Sequence, residues 1–228
     1  MTTRKYLTFG GGATSVEAGL RPVVRVVGVG GAGCNIVDSL AEMGIGHVEP
    51  VAVNTDAQNL LGLRCRKVLI GKGITGGRGA AGIPAMGESA LKADIERIRT
   101  VLQGTEVLFL ICGLGGGTGT GAAPVLAGLA KEMGALVVVL TVHPFRAEGR
   151  TRNEVASAGL ERLRDEADVV VMVRNDKLVE EFPDMNSREA PRVADHLLLN
   201  PVTSITPLLT RQDLPTLRET FKTVSAAF

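Results

Sequence analysis

The chain has 228 residues, 45% of them hydrophobic, and its 25 basic and 24 acidic side chains nearly cancel. That length and apolar content suit one large domain, and a balanced charge with no block of one sign excludes an electrostatic footprint for nucleic acid or an anionic membrane surface. Cys34, Cys65 and Cys112 lack CxxC spacing and no apolar run is long enough for a bilayer span or a signal-peptide core, so the expectation is a soluble, cytoplasmic protein with reduced, structural thiols and no direct membrane insertion.

Residues 1–20, which include the stretch TFGGGATS, carry no periodicity and are expected to form a flexible arm. Val23 to Val29 (VVRVVGV) predicts a buried strand, followed by the glycine-rich GVGGAG at Gly28 to Gly33 and an amphipathic stretch with Ile36, Val37 and Leu40. Pro50 to Val53 and Val68 to Ile70 predict two more strands, and Leu91, Ile95, Ile98 and Leu102 recur at helical spacing. A strand at Val107 to Cys112 runs into Gly113 to Gly121 (GLGGGTGTG), after which a helix is expected near Ala122 to Val125, with Leu129 and Met133 on its apolar stripe. Leu136 to Val142 and Val169 to Val173 complete the strands. A helical pattern from Ala190 to Leu209 contains Pro201 and Pro207, and each interior proline removes a backbone donor and clashes one turn back, so kinks are expected there.

Continuous apolar strands alternating with helices imply an α/β fold: an open, doubly wound, mainly parallel sheet with helices on both faces, Rossmann-like in architecture. Such sheets bind ligands at the carboxyl ends of their strands. One domain is expected over residues 21–209.

Two glycine loops carry the chemistry. Glycine lets the backbone approach an anion, and the unpaired amides of a following helix terminus favour phosphate. GVGGAG alone does not choose between nucleotide classes, because NAD-binding folds use the same turn; an NAD(P)-dependent oxidoreductase would use Gly28, Gly30 and Gly33 with Glu49 on the ribose. That alternative leaves the second loop unexplained. A run as dense in glycine as Gly113 to Gly121 loses much chain entropy on ordering, which points to amides wrapping a phosphate chain, with Thr118 and Thr120 adding hydroxyls. His47, His143 and His196 show no ligand spacing, so no metal site of the protein's own is expected; Asp165, Glu166 and Asp168 read as a solvated helix end, and no GxxxxGK[ST] occurs.

The loop GLGGGTGTG resembles the signature loop of the FtsZ/tubulin family, and GVGGAG with Asn35 resembles the first nucleotide loop of FtsZ. The similarity continues in order through Asn54-Thr55-Asp56-Ala57-Gln58, Gly77 to Pro84, Pro144 to Arg150 and Asn175-Asp176-Lys177-Leu178, with Asp195 at the spacing of the family's guanine-facing aspartate. The resemblance implies a GTP-binding cell-division or cytoskeletal protein, with GTP or GDP as ligand and Mg2+ held through its phosphates. Gly30, Gly31, Ala32, Gly33 and Asn35 would supply the first phosphate contacts, and Gly115, Gly116, Gly117, Thr118, Gly119, Thr120 and Gly121 the second. Gly79, Ala80 and Ala81 would face the terminal phosphate, Pro144 and Glu148 the ribose side, and Arg152 the phosphates or the base, with Asp56 and Thr141 also among the nucleotide-binding residues. Asn175 and Asp195 would read guanine, whose imino and amino groups donate to such acceptors.

The resemblance also implies a head-to-tail filament partner, either a second copy or a full-length FtsZ-like subunit, because in FtsZ a carboxylate-bearing loop from one subunit completes the neighbour's site. Here the corresponding segment reads Leu214-Pro215-Thr216-Leu217-Arg218-Glu219-Thr220-Phe221. The family's carboxylate positions fall on Leu217 or Arg218 and on Thr220 or Phe221, which leaves Glu219 as the one nearby catalytic candidate. Pro191 replaces a guanine-stacking phenylalanine, and Ala81 and Ile83 alter the terminal-phosphate loop. Residues 210–228 are accordingly expected to be a remnant of the catalytic loop and its following helix, with the second domain absent or truncated. GTP binding without autonomous hydrolysis, as in a regulator or cap of filaments, is the expectation.

Overall fold

The computed structural model describes residues 20–44, 48–182 and 190–227; apart from Leu20, the expected N-terminal arm lies outside them, as does His47. Six strands form one parallel sheet: β1 (Val24–Val29), β2 (Val48–Asn54), β3 (Arg66–Leu69), β4 (Val107–Gly113), β5 (Leu136–His143) and β6 (Val169–Arg174). Their spatial order is β3-β2-β1-β4-β5-β6, so the chain reverses direction across the sheet between β1 and β4, the doubly wound arrangement expected from the sequence.

The interleaved helices are α1 (Gly30–Glu42), α2 (Ala57–Leu61), α3 (Lys72–Thr75), α4 (Pro84–Ala93), α5 (Ile95–Leu102), α6 (Thr118–Glu132), α7 (Arg150–Glu166), α8 (Asn175–Glu181), α9 (Ala190–Ile205) and α10 (Leu214–Ala227). Alternate residues of each central strand enter different cores. Val27, Leu108, Leu110 and Val139 pack with Leu91 of α4, Ile98 of α5, Leu126 of α6 and Leu163 of α7. Val26, Phe109, Ile111 and Val138 pack on the opposite face with Ile36 and Leu40 of α1 and Leu198 and Val202 of α9. Burial on both faces is why these strands read as unbroken apolar runs.

Three local expectations change. The helix after the second glycine loop starts at Thr118, four residues before Ala122, so Thr118 to Gly121 form its first turn. Helix α9 continues through Pro201 to Ile205, its buried Leu198, Leu199 and Val202 offsetting the lost backbone bond, and Pro207 falls after its end. The segment expected as a loop remnant is helical from Leu214. Asp213 Oδ2 accepts from Thr210 N (2.9 Å) and Thr210 Oγ1 (2.7 Å), and Pro215 occupies the first turn, where its missing N–H is harmless.

Candidate functional site

Two adjoining cavities open at the carboxyl ends of the strands. The first, about 300 Å3, is lined by the first turn of α1, by Asp56 and Asn59, by Gly79, Ala80 and Gly82, and by Gly116 to Gly119. The second, about 140 Å3, is lined by Val142, Pro144, Glu148, Asn175, Pro191, Ala194 and Asp195. Ala32, Gly113, Leu114 and Arg152 border both, so the two are halves of one cleft.

The first half is built from helix amino termini. β1 passes directly into α1 at Gly30, whose φ of +74° is left-handed, and neither α1 nor α6 has a side chain capping its first amides. Those amides have no partner within their own helices, and both termini converge: a Cβ on Gly30 would stand 2.8 Å from Gly119 N. Two uncapped helix termini meeting at a glycine-lined cavity present backbone donors whose chemistry suits an anion.

Close packing sets this geometry. A Cβ on Gly33 would lie 2.3 Å from Ile111 O, and one on Gly121 would lie 1.9 Å from Pro84 O. Gly33 and Gly121 therefore bring α1 onto the sheet and α6 onto α4. Thr120 Oγ1 accepts from Gly115 N at 2.9 Å and braces the loop, Thr118 Oγ1 pairs with Thr55 Oγ1 at 2.6 Å, and Thr141 Oγ1 donates to Cys112 O at 2.9 Å. Of these, only Thr118 lines the cavity.

In the second half, Asn175 Oδ1 is buried without a hydrogen-bond partner among the described residues, an arrangement that is costly unless a ligand donor completes it. Burial raises the Asp195 carboxyl to about 6. Glu148 Oε1 accepts from Phe145 N at 2.9 Å, and its other oxygen meets Arg152 Nε at 3.2 Å, so the arginine is tied back where the two halves join.

The fold brings together Gly30, Gly31, Ala32, Asp56, Gly79, Ala80, Gly116, Gly117, Thr118, Gly119, Pro144, Glu148, Arg152, Asn175 and Asp195 as cavity lining. Gly33, Gly115, Thr120, Gly121 and Thr141 lie behind it, Asn35 is exposed on α1, and Ala81, at φ +47°, is exposed beside the lining residues. Asn54 and Gly82, quoted above only as parts of motifs, also line the cleft, as do Asn59 and Ala194, which no motif included. Asn59 follows Asp56 by three residues, and Asp56 Oδ1 caps its amide at 3.2 Å, a local signal that placed it in the first turn of α2.

Glu49 is at the other end of the sheet. It accepts from Arg25 (2.8 Å) and Arg66 (2.8 Å) and is register partner of Arg25 near the amino end of β1. The oxidoreductase alternative thus loses its ribose-binding acid. Leu217 and Phe221 pack with Leu214 against the core from α10, and Arg218 donates to Gly134 O, just before β5 begins, so this segment too lies away from the cleft. Glu219 is exposed on the same helix. Among the described residues, no cluster of three or more His, Cys, Asp or Glu side chains could hold a metal ion, and no helix is long and apolar enough to cross a membrane.

Residues 23–183 match the family described as "Tubulin/FtsZ family, GTPase domain". The cell division protein FtsZ 1 of Archaeoglobus fulgidus is 45% identical over 196 residues, which cover 86% of this chain and 53% of that protein. Among solved structures, the empty FtsZ dimer of M. jannaschii superposes with a TM-score of 0.79 at 44% identity, covering 84% of this chain and 56% of that one. The GTPγS-bound protofilament of CetZ2 from Haloferax volcanii gives 0.62 at 33% identity, over 78% of this chain and 58% of that one. The chain spans about half the length of the curated relatives it matches.

Proposed function

This chain belongs to the tubulin/FtsZ family through its GTPase domain, and on that premise we propose that it binds GTP or GDP along the joined cleft. The phosphates lie on the amides of α1 and α6, and Glu148 accepts from the ribose hydroxyls. Asn175 and Asp195 face the base. The observation that carries this reading is the unpaired Asn175 Oδ1 beside the Asp195 carboxylate. Two acceptors at one wall call for a ligand edge rich in donors, as guanine offers at N1 and N2; adenine presents a single amino group and leaves an acceptor unpaired. Magnesium, held by the phosphates, would neutralise part of their charge. Equilibrium titration with GTP and ATP is the test: marked preference for GTP is expected, and equal affinities would sink the proposal.

Binding and turnover separate in this reading. The side chains of Leu217, Arg218 and Phe221 hold α10 to the amino-end side of the sheet and offer no carboxylate to a neighbouring site. The chain therefore acts in the cytoplasm as a nucleotide-holding regulator or cap in cell division or a related filament system, able to accept a catalytic loop from a full-length FtsZ-like subunit, or to stack on its own kind, without supplying a competent loop. Phosphate release is expected to be negligible from the chain alone and measurable with a full-length homologue. Robust turnover by the chain alone removes the regulator reading.

A further inference from the structure

The phosphate half of the cleft has a charge deficit for the ligand proposed above. Its lining carries two ionisable side chains: Asp56, of the wrong sign for phosphate, and Arg152, already tied to Glu148 at 3.2 Å. Backbone amides supply partial charges only, whereas a triphosphate brings several full negative ones. A cation able to reach the cavity from nearby would answer that deficit.

Arg78 meets the description. Its backbone forms an isolated bridge with Asp56, and its amide donates to Thr75 O at 3.2 Å, so its Cα is fixed beside the cavity wall. The next residues, Gly79, Ala80 and Gly82, line the cavity itself. They border only the phosphate half and none of them touches the base half, which places this wall at the end of the cleft away from the base. The Arg78 side chain is exposed and folds back over Gly76, its guanidinium atoms 3.6–4.0 Å from where a Cβ would stand. No hydrogen bond or ion pair to another described residue holds that guanidinium, although charged side chains elsewhere on this surface are commonly paired. Gly77 and Gly79, at φ +75° and +83°, flank it with backbone that tolerates rotation.

We propose that Arg78 is the residue that distinguishes a triphosphate from a diphosphate in this cleft, turning inward from Gly76 to meet the terminal phosphate as a charge-assisted, forked donor. The inference rests on the nucleotide reading. A guanidinium fits because its planar donors pair with two phosphate oxygens and it cannot lose its charge at any working pH. Its stem needs only side-chain rotation, since its backbone anchor beside Asp56 is already in place.

The test compares calorimetric affinities of the whole chain for GDP and for a non-hydrolysable GTP analogue at fixed magnesium, using wild type, Arg78→Ala and Arg78→Lys. Arg78→Ala is expected to weaken the triphosphate analogue about tenfold while GDP changes by less than about twofold, and Arg78→Lys to recover part of the loss. Because Arg78 is exposed and has no side-chain partner among the described residues, intact GDP binding doubles as the control for folding. An unchanged ratio of the two affinities in a variant that binds both overturns this inference alone, as does an equal loss for both ligands. A wild-type chain that binds neither overturns the nucleotide reading, and this inference with it.

Discussion

Replacing Asp195 with asparagine should move stability and ligand affinity in opposite directions. In the free protein, burial raises this carboxyl from the ordinary 3.8 to about 6, so the folded state holds the proton more tightly than the unfolded chain does. Folding is therefore favoured by protonation at low pH, and that contribution is lost as pH rises from about 4 to about 6. At neutral pH the ionised carboxylate opposes folding. The full difference corresponds to about 3 kcal/mol, and because the group is half-buried and reached by solvent, about 1–2 kcal/mol is the expected relief on neutralising it. Asp195→Asn should thus raise the midpoint of urea unfolding at pH 7 without ligand and leave it nearly unchanged at pH 4. Guanine binding needs the ionised acceptor, so the same substitution should weaken GTP about tenfold to a hundredfold. Wild-type affinity should fall about tenfold between pH 7 and pH 5, as the carboxyl takes up its proton. The reasoning fails if Asp195→Asn lowers stability at pH 7, or if wild-type affinity for GTP is flat across that interval.

Asn175→Ala removes the orphaned acceptor and should weaken GTP by about tenfold in a fluorescence titration while costing the free protein less than about 1 kcal/mol, since nothing in the described structure bonds that oxygen. Gly121→Ala forces a methyl to within 1.9 Å of Pro84 O, a backbone atom; loss of about 3 kcal/mol or outright failure to fold should appear in thermal melts. Ala81 holds a left-handed φ of +47°, so Ala81→Gly should stabilise the free chain by about 0.5 kcal/mol, the relief of backbone strain exceeding the added freedom of the unfolded glycine. A lower melting temperature for that variant would contradict the strain argument.

The glycine loops could be read directly because their composition has few other uses. Gly113 to Gly121 announced an anion cradle, and the valine-rich strands around it announced a sheet covered on both faces. What the loop letters did not distinguish was which glycines line the cavity. Gly33 and Gly121 belong to the same runs as Gly31 and Gly117, yet they lie behind the cavity as contact points between elements. Thr118 and Thr120 look equivalent in sequence, but one lines the cavity and the other braces Gly115. That division follows from the helix starting at Thr118, where neighbouring residues point to different sides of a turn.

The segment after α9 shows the converse. The apolar spacing of Leu214, Leu217 and Phe221 was plain in the letters but became meaningful only once the sheet supplied a surface for α10. Local chemistry is written along the chain: apolar runs, glycine density and acceptor residues depend on residue type and near neighbours alone, so the sequence by itself determined the fold class and the ligand chemistry to expect. Partnership across the fold is not local. Only the tertiary structure decided that, among the described residues, Asn175 Oδ1 has no partner, Glu49 is committed to Arg25 and Arg66 far from the cleft, and Arg78 stands beside it without a side-chain partner. Those facts depend on distances between residues that the chain separates and the sheet brings together.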